Sequence, residues 1–105
     1  MNIEWLRVKV REEDYQLSSH ACEECDNESI SLQDIERAIL NGDILENYSD
    51  RKDIRGDSCL VLGRDTRRGY LHIVVARSNL NEMRVVTAYL PKPPKWIDER
   101  TRRTK

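Results

Sequence analysis

The stretch SLQDIERAILNGDILENY, residues 31–48, decides the fold, because a helical pattern gives way to a strand pattern within it. Ser31, with Asp34 three residues later, caps a helix. The apolar stripe of this helix consists of Leu32, Ile35, Ile39 and Leu40. Gly42 ends the helix, and a strand pattern begins at Ile44. The stretch therefore predicts that helices come first and a sheet second.

The residues before this stretch predict two more helices and a short extended segment. Residues 3–10 fit either a helix or a strand, and we favour the helix. Residues 15–18 are predicted to be extended. Residues 20–28 contain neither Gly nor Pro, and they predict a helix that packs through Ala21 and Cys25.

Strand patterns fill the second half of the chain. The predicted strands are residues 44–48, 58–63, 71–76 and 83–89. Residues 67–69 and 78–81 have the composition of hairpin connections, which would join these strands into an antiparallel meander. The sequence therefore predicts an α+β fold, in which N-terminal helices pack on a small antiparallel sheet of about four strands.

The length of 105 residues predicts a single domain. We divide it into an N-terminal helix (residues 1–14), a core (15–91) and a basic tail with prolines (92–105), in which Trp96 is expected to pin the tail onto the body. No apolar run approaches the roughly 18 residues of a membrane span, and the first residues lack a signal-peptide pattern. We therefore expect a cytoplasmic protein that makes no membrane contact.

Charge is distributed unevenly along the chain. Residues 1–50 carry a net charge of −9 and residues 51–105 a net charge of +8. A basic surface from the second half could hold a phosphate backbone, which an acidic surface from the first half would repel. The alternative interpretation is that the two halves attract each other, or that both form ordinary solvated faces.

Several motifs in a fixed order resemble one protein family. They are Tyr15-x-Leu17-Ser18-x-His20-Ala21, Ile30-Ser31, Ala38-Ile39-Leu40-Asn41-Gly42-Asp43-Ile44, Ser58-Cys59-Leu60-Val61-Leu62-Gly63, Gly69-Tyr70-Leu71-His72-Ile73-Val74-Val75, and Thr87-Ala88-Tyr89-Leu90-Pro91 with Trp96. Together they resemble domain-of-unknown-function family 4258. The resemblance implies a relation to the BrnT and RelE-like toxins, which pack helices on a small antiparallel sheet and cleave RNA without a metal. It also implies a protein partner, an antitoxin of zinc-finger or DNA-binding type encoded nearby.

The chain departs from this family at two charged positions. Relatives carry Arg-Met and then a second Arg where this chain has Glu24-Cys25 and Glu28. Carboxylates there would repel a scissile phosphate, which argues against RNA cleavage. The loop of residues 49–57 is also longer than is usual in the family and lacks its prolines.

Metal-free RNA cleavage needs a proton acceptor, a proton donor and cations around the phosphate. The chain has two histidines, and an imidazole can fill either proton-transfer role near neutral pH. The candidate catalytic residues are His20, His72, Arg64 and Tyr89, and the candidate nucleic-acid-binding residues are Arg51, Lys52, Arg55, Arg67 and Arg68. The alternative for His20 is a residue that orients the start of its helix. The alternatives for His72 and Tyr89 are a buried, hydrogen-bonded imidazole and a packing residue.

The cysteines offer a competing chemistry. Cys22 and Cys25 form a C-x-x-C pair, and a histidine with Cys59 could complete a tetrahedral zinc site or a redox site. A second closely spaced pair, which strong zinc motifs have, is missing from the sequence. We therefore expect no metal and no cofactor.

One function and two alternatives remain from these observations. The first is a toxin-like RNA-binding protein, an endoribonuclease of a toxin–antitoxin pair that uses no metal. The alternative is a catalytically inactive relative that serves as a protein-binding module, with a partner docked on the acidic residues 23–28. A metal or redox protein built on the cysteines is the second alternative.

Overall fold

The computed structural model describes residues 1–48, 57–65, 69–78, 80–93, 96 and 98–101. Three helices lie within these residues: α1 (Ile3–Arg11), α2 (Ser19–Glu28) and α3 (Leu32–Asn41). Five strands lie within them as well: β1 (Tyr15–Leu17), β2 (Asp43–Asn47), β3 (Asp57–Asp65), β4 (Gly69–Arg77) and β5 (Met83–Tyr89). The predicted α+β class and the order of helices and strands are confirmed.

The sheet has one more strand than the sequence predicts. Its strand order is β1-β5-β4-β3-β2, and the last four strands form the predicted antiparallel meander. β1 extends this meander by pairing parallel to β5, with Tyr15 opposite Met83 and Leu17 opposite Val85. The predicted four-stranded antiparallel sheet is therefore a five-stranded mixed sheet, because the extended segment at residues 15–17 finds its partner far along the chain.

Each helix begins at a polar side chain that accepts a backbone N–H. Asn2 caps α1, Ser18 caps α2 and Ser31 caps α3, and Ser31 forms the predicted capping box with Asp34. The Ser18 hydroxyl also donates to the backbone oxygen of Val86 at 2.7 Å. This one side chain therefore starts α2 and attaches it to β5.

The main core lies between the helices and one face of the sheet, here called the inner face. Val61, Leu71, Ile73 and Val75 line it from the strands, and Leu6, Ala21, Cys25, Ile35 and Ile39 line it from the helices. α3 approaches β3 so closely that a Cβ built on Gly63 would lie 2.3 Å from the Cβ of Ala38. The predicted stripe of α3 is wrong at Leu32, which is half exposed because it lies at the first turn, beyond the edge of the core.

The opposite side of the sheet, here called the outer face, carries Leu60, Leu62, Arg64, Tyr70, His72 and Tyr89. Leu60, Leu62 and His72 are buried although they lie outside the main core. Trp96 is buried on this face, which confirms the expectation that it holds the tail onto the body. Among the described helices, none is long and apolar enough to cross a membrane.

Candidate functional site

Three of the four candidate catalytic residues lie on the outer face, on three adjacent strands. His72 of β4 is opposite Leu62 of β3 on one side and Tyr89 of β5 on the other. Its Nδ1 atom lies 3.3 Å from the Tyr89 hydroxyl. Arg64 lies two residues beyond Leu62 on the same face. The antiparallel register therefore assembles an arginine, a histidine and a tyrosine that are distant in the sequence.

His72 is fully buried, and both of its ring nitrogens have partners. Nε2 lies 2.8 Å from the backbone oxygen of Glu99. Because a carbonyl oxygen only accepts, Nε2 carries a proton, and Nδ1 accepts from the Tyr89 hydroxyl whenever the ring is neutral. The Trp96 ring meets the imidazole edge to face, with a centroid separation of 4.3 Å. His72 is thus held in one tautomer and one orientation.

Solvent reaches Arg64 and two tyrosines on this face. Arg64 is exposed, and its guanidinium lies 5.7 Å from the ring centre of Tyr70. Tyr70 and Tyr89 are half-buried. A guanidinium next to aromatic rings can bind a phosphate while the rings stack on bases, as single-stranded RNA requires.

His20 does not join this cluster. It lies in the first turn of α2, a helix that contributes Ala21 and Cys25 to the core on the inner face. Its side chain is exposed and makes no hydrogen bond or ion pair to another described residue. Ser18, rather than His20, fixes the start of the helix. His20 and Arg64 therefore lie on opposite sides of the sheet.

Glu28, one of the two carboxylates expected to repel a phosphate, links α2 to another part of the fold. One carboxylate oxygen accepts from the backbone N–H of Leu90 at 3.3 Å, and the other lies 3.3 Å from the ammonium group of Lys92. Lys92 therefore offsets the charge of Glu28, which attaches the end of α2 to the chain beyond β5. The sequence shows the charge reversal but gives no sign of this partner.

The five candidate nucleic-acid-binding residues cannot be located on this face. Arg51, Lys52, Arg55, Arg67 and Arg68 lie outside the described residues. Arg64, opposite Tyr70, is a described cation on the same face as His72 and Tyr89.

Two of the three cysteines, Cys25 and Cys59, have the environment of unreactive thiols. Cys22 is exposed, whereas Cys25 and Cys59 are buried. Burial raises the pKa of Cys25, with further contributions from Cys22 and nearby carboxylates, and burial raises the pKa of Cys59 to about 11. In the part of the chain that the structure describes, no group of three or more His, Cys, Asp or Glu side chains could hold a metal ion.

A groove of about 740 Å³ opens beside β1, away from the histidines. Glu13, Asp14 and Glu82 line it together with Arg84, and its floor includes Met83. The excess of carboxylates opposes a nucleic-acid phosphate at this position. No local pattern in the sequence indicates this groove, because its lining comes from segments that the β1–β5 pairing brings together.

Comparison with known proteins identifies one family. The model of a family described as a domain of unknown function (DUF4258) matches residues 17–90. The matched range contains α2, α3 and β2 to β5, and with them Arg64, His72 and Tyr89, but ends before Trp96. No curated protein and no solved structure matches the chain.

Proposed function

The chain belongs to the DUF4258 family, and from this membership we propose that it is a toxin-like, RNA-binding endoribonuclease of the cytoplasm that uses no metal. The observation that supports the proposal is the grouping of Arg64, His72 and Tyr89 on the outer face of the sheet. The resemblance to BrnT and RelE-like toxins supplies the reaction class, and the neighbouring antitoxin is the proposed partner.

The reaction is an attack within the RNA chain. The ribose 2′-oxygen loses its proton and bonds to phosphorus, while the bond to the 5′-oxygen of the next nucleotide breaks and that oxygen gains a proton. The products carry a 2′,3′-cyclic phosphate and a 5′-hydroxyl. Catalysis of this step requires proton transfer and stabilisation of the charge that develops on the phosphate.

Each residue of the cluster has a role that follows from its exposure. Arg64 is exposed and binds the phosphate, with the fork of donors that suits its oxygens. Tyr89 is half-buried, so its hydroxyl can contact the substrate and exchange a proton with it. His72 lies behind Tyr89 and accepts from that hydroxyl through Nδ1, so it is a positioning residue. Tyr70 provides a ring on which a base can stack.

The test is cleavage of a mixed RNA by purified protein in EDTA and at low salt, so that weak phosphate contacts are retained. Wild type should produce 2′,3′-cyclic phosphate ends. Arg64→Gln and Tyr89→Phe should each reduce the rate at least ~10-fold, in line with the loss of one charge-stabilising or proton-transfer group. Arg37→Gln is the matched control, because Arg37 is exposed on α3 and should leave the rate unchanged. Absence of cleavage, on free RNA and on ribosome-bound message alike, would contradict the proposal.

A second candidate is a catalytically inactive, protein-binding relative, and the burial of His72 favours it. The acidic surface of α2 is the proposed docking site. Glu23 and Asp26 are exposed there, whereas Glu28 is already paired with Lys92. Co-purification with the protein encoded next to its gene tests this function. Glu23→Lys with Asp26→Lys should abolish the complex, and a complex that survives both changes would exclude this surface.

A further inference from the structure

We propose that a cover near the C-terminus closes over His72 of the outer-face site, and that its displacement strengthens RNA binding there. The cover consists of Trp96 and residues 98–101. This inference rests on the proposed RNA-binding function, because it names the element that regulates that same site.

The cover lies directly on the catalytic candidates. Trp96 is 1% exposed, and its ring packs edge to face against His72. Glu99 places its backbone oxygen 2.8 Å from Nε2 of the same imidazole. Two residues of the cover thus occupy the approach to His72, and Tyr89 lies on the other side of that ring. An RNA strand on this face therefore cannot reach His72 while Trp96 and Glu99 are in place.

The chain leading to the cover is held by α2. The Glu28 carboxylate accepts from the backbone N–H of Leu90 and pairs with Lys92. The backbone oxygen of Lys92 accepts from the N–H of Trp96 at 3.1 Å, which turns the chain back toward the sheet. A carboxylate at position 28 therefore holds the start of the segment that carries the cover.

The far end of the cover is shaped by Asp98. Its carboxylate accepts from the backbone N–H groups of Arg100 and Thr101 at 2.8 and 2.7 Å, and from the Thr101 hydroxyl at 3.1 Å. These hydrogen bonds, with the one from Arg100 strongest, lower the pKa of Asp98. They form a local turn that presents the Glu99 oxygen to His72. At this end of the cover, Nε2 of His72 donates to the backbone oxygen of Glu99.

The cover lies apart from the main core of the fold. Trp96 and His72 lie outside the main core that joins the helices to the inner face. The family match ends at residue 90, before the cover begins. Displacement of Trp96 would therefore expose His72 and Tyr89 while the sheet and its helices stay folded, which is the property that a reversible closure needs.

The experiment uses Trp96→Ala in the full chain, with Trp5→Phe as the control at the other tryptophan of the sequence. Three quantities are measured: far-UV circular dichroism, the rate of His72 modification by diethylpyrocarbonate followed by peptide mass spectrometry, and binding and cleavage of a single-stranded RNA oligonucleotide. We expect Trp96→Ala to keep the wild-type spectrum, to speed modification of His72 at least ~10-fold, and to bind and cleave the RNA more strongly than wild type. Trp5→Phe should match wild type throughout.

The possible outcomes distinguish failure of the cover proposal from failure of the proposed function. Equal modification rates of His72 in wild type and Trp96→Ala would overturn the cover. The cover would also be overturned if His72 is modified faster in Trp96→Ala but this variant binds RNA no more strongly than a wild type that does bind RNA. Absence of RNA binding by both proteins, with His72 exposed in the variant, would overturn the proposed function and the cover that rests on it.

A second measurement tests the proposal if Trp96→Ala does not fold. In Trp5→Phe protein, Trp96 is the remaining tryptophan, and acrylamide quenching of its fluorescence reports its exposure. Saturating RNA should increase the quenching. Quenching that stays constant while RNA binds would contradict the displacement of Trp96.

Discussion

Nδ1 of His72 lies 3.3 Å from the hydroxyl of Tyr89, across the pairing of β4 with β5. Both residues are on the outer face, and the partner on the other ring nitrogen is the backbone of Glu99. Nε2 donates to the Glu99 carbonyl, which can only accept, and in the neutral ring Nδ1 accepts from the Tyr89 hydroxyl. The imidazole therefore connects the residue that would contact substrate to the residues that cover it.

Replacement of His72 should weaken the fold much more than replacement of His20. His72→Ala leaves a cavity and removes partners from the Glu99 oxygen and the Tyr89 hydroxyl, so we expect a loss of about 3 kcal/mol in the free energy of unfolding. His20→Ala removes an exposed side chain and should stay within about 0.5 kcal/mol of wild type. Urea denaturation checks both, and a loss below about 1 kcal/mol for His72→Ala would contradict the burial argument.

Glu28 should stabilise the protein mainly through the backbone of Leu90. Glu28→Ala removes a hydrogen bond to a charged acceptor, and we expect it to cost about 2 kcal/mol. Glu28→Gln keeps an acceptor oxygen and should cost less. The coupling energy with Lys92→Ala should be about 0.5 kcal/mol, because the Lys92 side chain is 63% exposed and the pair is screened by solvent. A double-mutant cycle measures this coupling energy. A coupling energy as large as the whole effect of Glu28→Ala would show that Glu28 stabilises the protein through Lys92 rather than through the backbone of Leu90.

Gly63 should not tolerate a side chain. A Cβ at this position would lie 2.3 Å from the Cβ and 2.6 Å from the Cα of Ala38, so α3 would have to move away from β3. We expect Gly63→Ala to reduce the free energy of unfolding by about 2 to 3 kcal/mol. Gly69→Ala is the control for conformation, since a Cβ there meets nothing within 4 Å and only its φ of +102° opposes the change, at a cost of about 1 kcal/mol. Thermal unfolding that shows Gly63→Ala as stable as wild type would refute the close packing.

Stability should fall at alkaline pH as the thiol of Cys59 ionises in the unfolded chain. Burial raises the pKa of Cys59 from 9.0 to about 11, so the folded protein keeps a proton that the unfolded chain releases between these values. The stabilisation is complete below pH 9 and is lost as the pH rises to about 11, at up to about 1.4 kcal/mol per pH unit.

Cys59→Ala distinguishes the contribution of this thiol to the pH dependence of stability from that of Tyr15. The pKa of Tyr15 is also raised, mainly by burial and then by its hydrogen bond to Glu36. The variant should lose stability less steeply than wild type between pH 9 and 11 in reducing buffer. Parallel curves for the two proteins, measured by urea denaturation, would exclude a contribution from Cys59.

The local structure was predictable because its signals lie within a few residues of each other. The capping box of Ser31 and Asp34 and the terminator Gly42 gave the bounds of α3. The alternation of β4 and β5 likewise placed those strands, and α2 packs through Ala21 and Cys25 as predicted. At residues 15–17 the sequence showed an extended segment, but no local pattern names Met83 as the partner of Tyr15.

The candidate site likewise has features that the sequence predicts and features that it does not. The sequence by itself determined which side chains could perform the chemistry, since Arg64, His72 and Tyr89 are recognisable by residue type and by their place on amphipathic or apolar strands. Only the tertiary structure decided that these three share a face, that His20 lies on the other side of the sheet, and that Trp96 and Glu99 cover His72. The reason is physical: capping and periodicity depend on neighbours along the chain, whereas strand register, the choice of sheet face and the burial of a distant tryptophan depend on packing between segments that have no local preference for each other.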